Sequence, residues 1–199
     1  MKRPNSRRLV ARSLAIAALT VLAAGAMRPL SAQSKALLIS LHGGRHNPLV
    51  NLTDDGDDFS AAFSYGGSIG LQLSERVAVR GMVTRHRARY RGEAFSIADS
   101  MTTQYSYGID LQVGWPATSA LVPYFYLGGG GYRVEFDDAA VSTSNSFAGR
   151  LGLGMNRVGG LGAWFFEIGT VLYEFKSPNF KRIQFELETR LGFALAIGL

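Results

Sequence analysis

The sequence contains no cysteine, and this absence excludes disulfide bonds, thiolate metal centres and cysteine nucleophiles. Histidine is also scarce, with only His42, His46 and His86. Beyond residue 32, no apolar run approaches the about 20 residues that a transmembrane helix requires. These absences are consistent with an exported protein whose fold depends on neither disulfides nor membrane helices.

The first 32 residues have the pattern of a secretory signal peptide. Basic residues crowd its start, an apolar run follows from Leu14 to Met27, and Leu30-Ser31-Ala32 supplies small residues for cleavage. We predict cleavage after Ala32, with Ala26 as the alternative. The mature protein is then a single domain over residues 33–199.

The net charge of +6 comes from this leader. Residues 1–32 hold six of the 21 basic residues and none of the 15 acidic ones, so the remainder carries 15 of each and is neutral. A neutral mature chain argues against a nucleic-acid-binding surface. We therefore expect no nucleic acid among its partners.

The last seventeen residues alternate between apolar side chains and polar or small ones. One face contains Ile183, Phe185, Leu187, Leu191, Phe193, Leu195, Ile197 and Leu199, interrupted only by Thr189. The other contains Gln184, Glu186, Glu188, Arg190, Gly192, Ala194, Ala196 and Gly198. A period of two indicates a β-strand. Its length exceeds the about 5–6 residues of a soluble strand and suffices for the about 9–11 that cross a bilayer.

Seven further alternating segments precede this one, separated by polar or glycine-rich turns. The eight predicted strands run from about Leu37 to Arg45, Ser60 to Leu73, Val77 to His86, Thr103 to Trp115, Pro123 to Phe136, Ser146 to Asn156, Ala163 to Phe175 and Ile183 to Leu199. The first, third, fifth and seventh connections are mostly long, and the others are shorter, as in outer-membrane barrels. We predict an all-β, eight-stranded antiparallel up-and-down transmembrane β-barrel with both chain ends in the periplasm.

Alternation alone does not say which face lies inside, because a soluble lipocalin-like barrel alternates with its apolar face inward. The polar face here is rich in Gly, Ser and Ala, which suits the crowded interior of an eight-stranded barrel. Trp115 and Trp164 fall at the predicted periplasmic rim, whereas tyrosines fall toward the outer rim, as in aromatic girdles. These tyrosines are Tyr65, Tyr105 and Tyr107. The side chains expected to face lipid include Leu111, Leu153, Phe185, Leu195 and Ile197.

The pattern resembles the small outer-membrane β-barrel proteins of the OmpA/OmpX-like, eight-stranded group, over roughly residues 36–199. The segment from Arg190 through Gly192 to Leu195 and Ile197 looks like that family's C-terminal assembly signal, although the chain ends in Leu199 and not in an aromatic residue. The resemblance implies recognition by the barrel-assembly machinery. It also implies a role in envelope integrity, adhesion or host interaction, and rarely in lipid-modifying catalysis.

Seven charged residues fall on the inward faces of the predicted strands. They are Arg80, Asp110, Arg150, Glu167, Glu186, Glu188 and Arg190. Buried charges need partners, because an isolated one is very costly or neutralises itself. From strand heights we predict that Arg80 pairs with Asp110. We also predict that Glu167 is the hub of a network with Arg150, Arg190 or both, which would fill the lumen and argue against conduction.

Other candidate chemistry is weak. No motif joins the three histidines to a serine and an acid, as a lipid-modifying enzyme would require. We expect His42 in the lumen, with His46 and His86 near the outer rim. The Asp54–Asp58 run lacks the spacing of an EF-hand loop and predicts a solvated acidic loop. We therefore expect no enzymatic activity, no catalytic residue, no cofactor and no metal site.

A row of arginines ends the third predicted strand, at Arg85, Arg87, Arg89 and Arg91. Guanidinium groups bind phosphate through paired hydrogen bonds, so these residues are expected to contact outer-membrane lipid such as lipopolysaccharide, or else the Asp54–Asp58 loop. The predicted function is a structural or surface-interaction role in the cell outer membrane. A periplasmic lipocalin-like binding barrel and a lipid-modifying enzyme are the alternatives.

Overall fold

The computed structural model is a closed antiparallel barrel. It describes residues 35–53, 56–92, 100–115, 120–138, 141–159, 162–176 and 181–198. The predicted signal peptide lies outside these residues, and its cleavage site stays a prediction. In the part of the chain described, no helix is long and apolar enough to cross a membrane.

Eight long strands and one short one make up the sheet. They are β1 (Ala36–Pro48), β2 (Asp58–Phe59), β3 (Ala62–Gln72), β4 (Val77–Arg91), β5 (Met101–Gly114), β6 (Leu121–Phe136), β7 (Ser144–Gly159), β8 (Gly162–Lys176) and β9 (Lys181–Gly198). Each long strand pairs with its neighbours in sequence, and β9 pairs with β1, which closes the barrel. Closure leaves no unpaired strand edge for lipid to meet. The predicted eight-stranded barrel is therefore confirmed.

The first and last strands begin and end on one side of the barrel, where Ala36 pairs with Gly198. We call this the terminus side, and the other is the loop side. Connections 49–61, 92–100 and 137–143 on the loop side are longer than 73–76 and 160–161 on the terminus side. The last loop-side connection, 177–180, is short. The third predicted strand ended at His86, whereas β4 continues to Arg91 because its arginines keep the alternation and point outward.

The polar face points inward, as expected for a membrane barrel. Leu111, Leu153, Phe185 and Ile197 are 44%, 57%, 41% and 39% exposed, and Leu195 is half-buried. All seven predicted lumen charges are buried. This facing is the opposite of the one that a soluble lipocalin-like barrel requires.

The glycine run of β6 marks a close approach between strands. Gly130 lies opposite Gly108 of β5, and both face inward. A Cβ atom on Gly130 would lie 2.0 Å from the Tyr107 carbonyl oxygen and 2.4 Å from the Gly108 Cα atom. Because both atoms belong to the backbone, no side-chain movement could make room. This part of the wall therefore requires glycine.

Exposed aromatic side chains lie near both rims. On the terminus side Trp115 packs edge-on against Phe125, and Trp164 packs against Phe193. Toward the loop side Tyr65 and Tyr107 are about half exposed, and Tyr105 is half-buried. Their placement matches the aromatic girdles predicted from the sequence.

Candidate functional site

The centre of the lumen holds a cluster of ion pairs around Glu167 of β8. Its Oε1 atom accepts a 2.7 Å hydrogen bond from Arg80 Nη1 of β4, and its Oε2 atom lies 3.1 Å from Arg190 Nη2 of β9. Arg190 is the direct partner of Glu167 in the β8–β9 register, whereas Arg80 reaches it from across the barrel. Glu167 itself is completely buried.

Asp110 of β5 continues the cluster toward β7. Arg80 Nη2 donates a 3.1 Å hydrogen bond to Asp110 Oδ2, and Arg150 Nη2 lies 3.0 Å from Asp110 Oδ1. The structure thus brings Arg80 and Asp110 together, as the strand heights predicted. Arg150 pairs with Asp110. Of the two arginines predicted as partners of Glu167, Arg190 is therefore the one that contacts it.

A second group of charges lies toward the loop side, around His46 of β1. His46 Nδ1 lies 3.1 Å from Glu186 Oε2, and His46 Nε2 lies 2.8 Å from Glu188 Oε1. Glu188 Oε2 lies 3.6 Å from Arg190 Nη2, which joins this group to the central one. Eight residues therefore form one continuous row of alternating charge, which we call the ladder. In order, it runs Glu186, His46, Glu188, Arg190, Glu167, Arg80, Asp110 and Arg150.

The sequence placed His46 and His86 near the outer rim but did not give the direction of their side chains. Both side chains point into the lumen and are buried, with ring centroids 4.1 Å apart and planes inclined by 22°. His46 follows the predicted end of the first strand and His86 closes the third, so neither had a clear facing. A period of two extended past those ends would have placed both inside.

Tyrosines that sequence reasoning missed bind the carboxylates of the ladder. Tyr124 donates a 2.6 Å hydrogen bond to Glu167. Tyr132 and Tyr173 donate hydrogen bonds of 2.7 and 3.0 Å to Glu186, and their rings stack 3.7 Å apart. Tyr126 lies against the Arg80 and Arg190 guanidinium groups. The glycines of β6 blurred which of its tyrosines face inward.

A cluster of apolar and mostly aromatic side chains, which we call the aromatic cluster, covers the ladder on the loop side. The first loop folds back so that Asp58 and Phe59 pair with Arg91 and Tyr90 of β4, and Phe59 is buried. Aromatic rings meet edge to face, with centroids 5.9–6.1 Å apart. The cluster includes Leu52, Phe59, Tyr90 and Phe175, and Phe136 packs against it.

The acidic loop is less solvated than predicted. Asp57 is only 7% exposed and accepts a 2.9 Å hydrogen bond from the Tyr90 hydroxyl. Partial burial raises the pKa of the Asp58 carboxyl, while the Phe59 N–H and the Arg91 charge act against that shift. Asp54 and Asp55 lie outside the described residues.

On the terminus side the lumen opens into a cavity of about 630 Å³. Its walls are mixed, with apolar side chains such as Leu38, Val122 and Phe165 beside the amides of Gln72, Gln112 and Asn156. Arg80 forms part of its inner end. The lumen therefore has three levels, which are the cavity, the ladder and the aromatic cluster.

Most of the chain is similar to one known family. Residues 14–185 match the family described as the outer membrane protein beta-barrel domain. The chain belongs to this family. Its location is accordingly the cell outer membrane, and the outward apolar face is its lipid-facing surface.

Solved structures of outer-membrane proteins share the fold of this family member. Neisserial surface protein A (NspA) is 15% identical with a TM-score of 0.57, over 81% of this chain and 95% of that chain. Outer membrane protein OprG from Pseudomonas aeruginosa is 13% identical with a TM-score of 0.54, over 84% of this chain and 98% of that chain. Outer membrane protein AlkL, solved in DMPC lipid bilayers, is 17% identical with a TM-score of 0.51, over 87% of this chain and 95% of that chain. At such identities the likeness establishes the fold alone. No curated protein matches the chain in sequence.

The arginine row of this outer-membrane barrel lies on the outer surface of β4, near the loop side. Arg85 donates a hydrogen bond to the Tyr65 hydroxyl and lies over the Tyr65 and Tyr105 rings. Arg87 Nη2 lies 2.5 Å from Asp137 Oδ2. Arg91 is opposite Asp58 in the β2–β4 pairing. Among the described residues, no ion pair involves the guanidinium groups of Arg85 or Arg89.

The remaining predicted positions belong to β1 and β9 of this barrel. His42 faces the lumen, and its Nε2 atom lies 2.9 Å from the Thr84 hydroxyl oxygen. In the assembly-signal segment, Arg190 and Gly192 point inward, and Gly192 gives room to the Phe165 ring. Leu195 and Ile197 lie on the lipid-facing side. Recognition of this segment by the assembly machinery stays a prediction.

Proposed function

We propose that this outer-membrane barrel is a closed, non-enzymatic protein that serves a structural role and acts through its outer surface. The continuous ladder supports the proposal most strongly, because its ion pairs join side chains of β4, β5, β7, β8 and β9 inside the lumen. The aromatic cluster adds a second, apolar layer on the loop side. An eight-stranded barrel is also only wide enough for its own side chains, whereas porins use about 16–18 strands.

The histidines support the absence of catalysis. A hydrolase or acyltransferase acting on outer-leaflet lipid needs a histidine and a nucleophile that the lipid can reach. His42, His46 and His86 all face the lumen and are at most 8% exposed. Their neighbours are Thr84, Glu186, Glu188 and Gln104. A lipid substrate on the barrel exterior would meet none of these imidazoles.

Current recordings test the closed lumen. Purified protein reconstituted in planar lipid bilayers should give no stepwise conductance, because the ladder and the aromatic cluster lie in series. A heat-denatured sample of the same preparation serves as the control for contaminating pores. Reproducible steps that disappear on heat denaturation would contradict a closed barrel.

For the outer surface, we propose that the arginine row binds phosphate groups of lipopolysaccharide. Arg85 and Arg89 carry charge that no described ion pair compensates, and the neighbouring tyrosines mark the level at which aromatic girdles meet lipid headgroups. Arginine is suited to this contact because its planar guanidinium can donate two parallel hydrogen bonds to one phosphate. Arg87 and Arg91, which lie beside Asp137 and Asp58, would hold the loops around that contact.

Replacing all four arginines by glutamine should weaken lipopolysaccharide binding at least about tenfold, since one lost charge-assisted hydrogen bond is worth about 1.5–3 kcal/mol. Anisotropy of fluorescent lipopolysaccharide titrated with refolded protein measures the affinity. The matched control replaces Arg76 and Arg157, which are exposed on the terminus side, and should leave the affinity unchanged. Equal affinities for wild type and the fourfold variant would assign the arginines to the loops alone.

A further inference from the structure

We propose that His46, His86 and Glu186 form a binding site for a divalent first-row transition-metal ion inside the lumen. One ring nitrogen from each histidine and one Glu186 oxygen lie within 4.8 Å of one another. All three residues are at most 2% exposed. Three different strands bring these residues together, so no sequence motif could have revealed them.

Two unsatisfied features of the cluster point to a ligand. The first is His86 Nδ1, which is fully buried and has no hydrogen-bond partner. A buried polar atom of this kind is costly unless something binds it. The second is charge, because the ladder contains four carboxylates but only three arginines. A metal cation bound to His46 and Glu186 would replace the proton that otherwise makes His46 the fourth positive member of the ladder.

The donor set selects the class of ion. Two imidazoles and a carboxylate suit zinc, nickel, copper or iron, whereas calcium and magnesium prefer oxygen donors alone. Bonds of about 2.0–2.2 Å place tetrahedral ligand atoms about 3.4 Å apart, so the present spacing requires only small side-chain movements. Glu188 lies 2.8 Å from His46 Nε2, the ring nitrogen opposite the one that faces Glu186, and would orient this imidazole.

The surroundings would hold the ligands in place. Gln104 Oε1 lies 3.1 Å from His86 Nε2, and Tyr132 and Tyr173 donate hydrogen bonds to Glu186. Partners of this kind orient metal ligands and tune their basicity. The aromatic cluster covers this level on the loop side, and the rest of the ladder covers it on the other. An ion is therefore expected to enter during folding more readily than afterwards.

The test is metal retention by protein without a polyhistidine tag, refolded with either Zn²⁺ or Ni²⁺ present and then passed through a chelating column. Elemental analysis should find about one ion per wild-type chain, and the temperature at which the folded gel band is lost should rise. Refolding with Ca²⁺ or Mg²⁺ should give neither effect.

Two variants assign the ion to the cluster. His86→Phe keeps an aromatic ring against His46 but removes both nitrogens, and it should lose the ion and the temperature shift. His42→Ala removes the third lumen histidine, which lies outside the cluster, and should keep both. A wild-type chain without bound metal, or retention by folded His86→Phe equal to that of wild type, would overturn the proposal. Equal retention of Ca²⁺ would overturn the assigned class of ion.

Discussion

Replacing Glu167 by alanine should lower the free energy of unfolding by about 3–5 kcal/mol, the usual cost of removing one partner from a buried ion pair. Glu167 contacts both Arg80 and Arg190, so its loss leaves two buried guanidinium groups with one carboxylate fewer. Tyr124 would also lose the acceptor of its hydrogen bond. Equilibrium unfolding in denaturant, followed by the fluorescence of the two rim tryptophans, measures the change.

A control for this prediction lies on the same strand. Glu174 forms a 3.0 Å ion pair with Lys176, and both side chains are more than 40% exposed. Exposed pairs contribute only about 0–1 kcal/mol, so Glu174→Ala should have little effect. If the two alanine variants were equally stable, Glu167 would not be a buried hub, and the facing assigned to β8 would be wrong.

Replacing Gly130 by alanine should destabilise the barrel by about 1–3 kcal/mol or more, as overpacking of a tight interior does. The added methyl group would lie 2.0 Å from the Tyr107 carbonyl oxygen, so β5 and β6 would have to separate. That separation would lengthen the backbone hydrogen bonds that join β5 and β6. The same unfolding measurement detects the effect.

Gly149 provides the opposite case in the neighbouring strand β7. It points outward, and a Cβ atom there would meet no heavy atom within 4 Å. Glycine within a strand is less favourable than alanine by about 0.5–1 kcal/mol, so Gly149→Ala should be neutral or stabilising. A Gly130→Ala variant as stable as Gly149→Ala would show that β5 and β6 are not this close.

The facing of the strands could be predicted from the sequence because period-two alternation is a local property. Arg80 and Asp110 were placed at matching heights on adjacent strands, and they are direct partners in the β4–β5 register. The contact between Arg80 and Glu167 could not be anticipated in this way. It crosses the lumen, and its position depends on the stagger of strands around the closed barrel.

Residues beyond the predicted strand ends were harder to assign. His46 lies just past Arg45, and only the longer β1 of the structure brings it inward between Glu186 and Glu188. The prediction of a solvated first loop rested only on its carboxylates. Phe59 and Leu52 were the residues that draw this loop into the lumen, and a lone apolar residue in a polar loop gives no periodic pattern.

The most direct test of the account is the environment of neighbouring residues on the two faces of the barrel wall. Because the chain lacks cysteine, single cysteines can carry a nitroxide label without background. Leu71, Leu111 and Met155 face lipid, whereas their neighbours Gln72, Gln112 and Asn156 line the roomy terminus-side cavity. In lipid bilayers, labels at the first three positions should be relaxed by oxygen, and those at the other three by a water-soluble nickel chelate. The same response at adjacent positions, or the reversed one, would contradict a barrel with a polar lumen and a lipid-facing apolar surface.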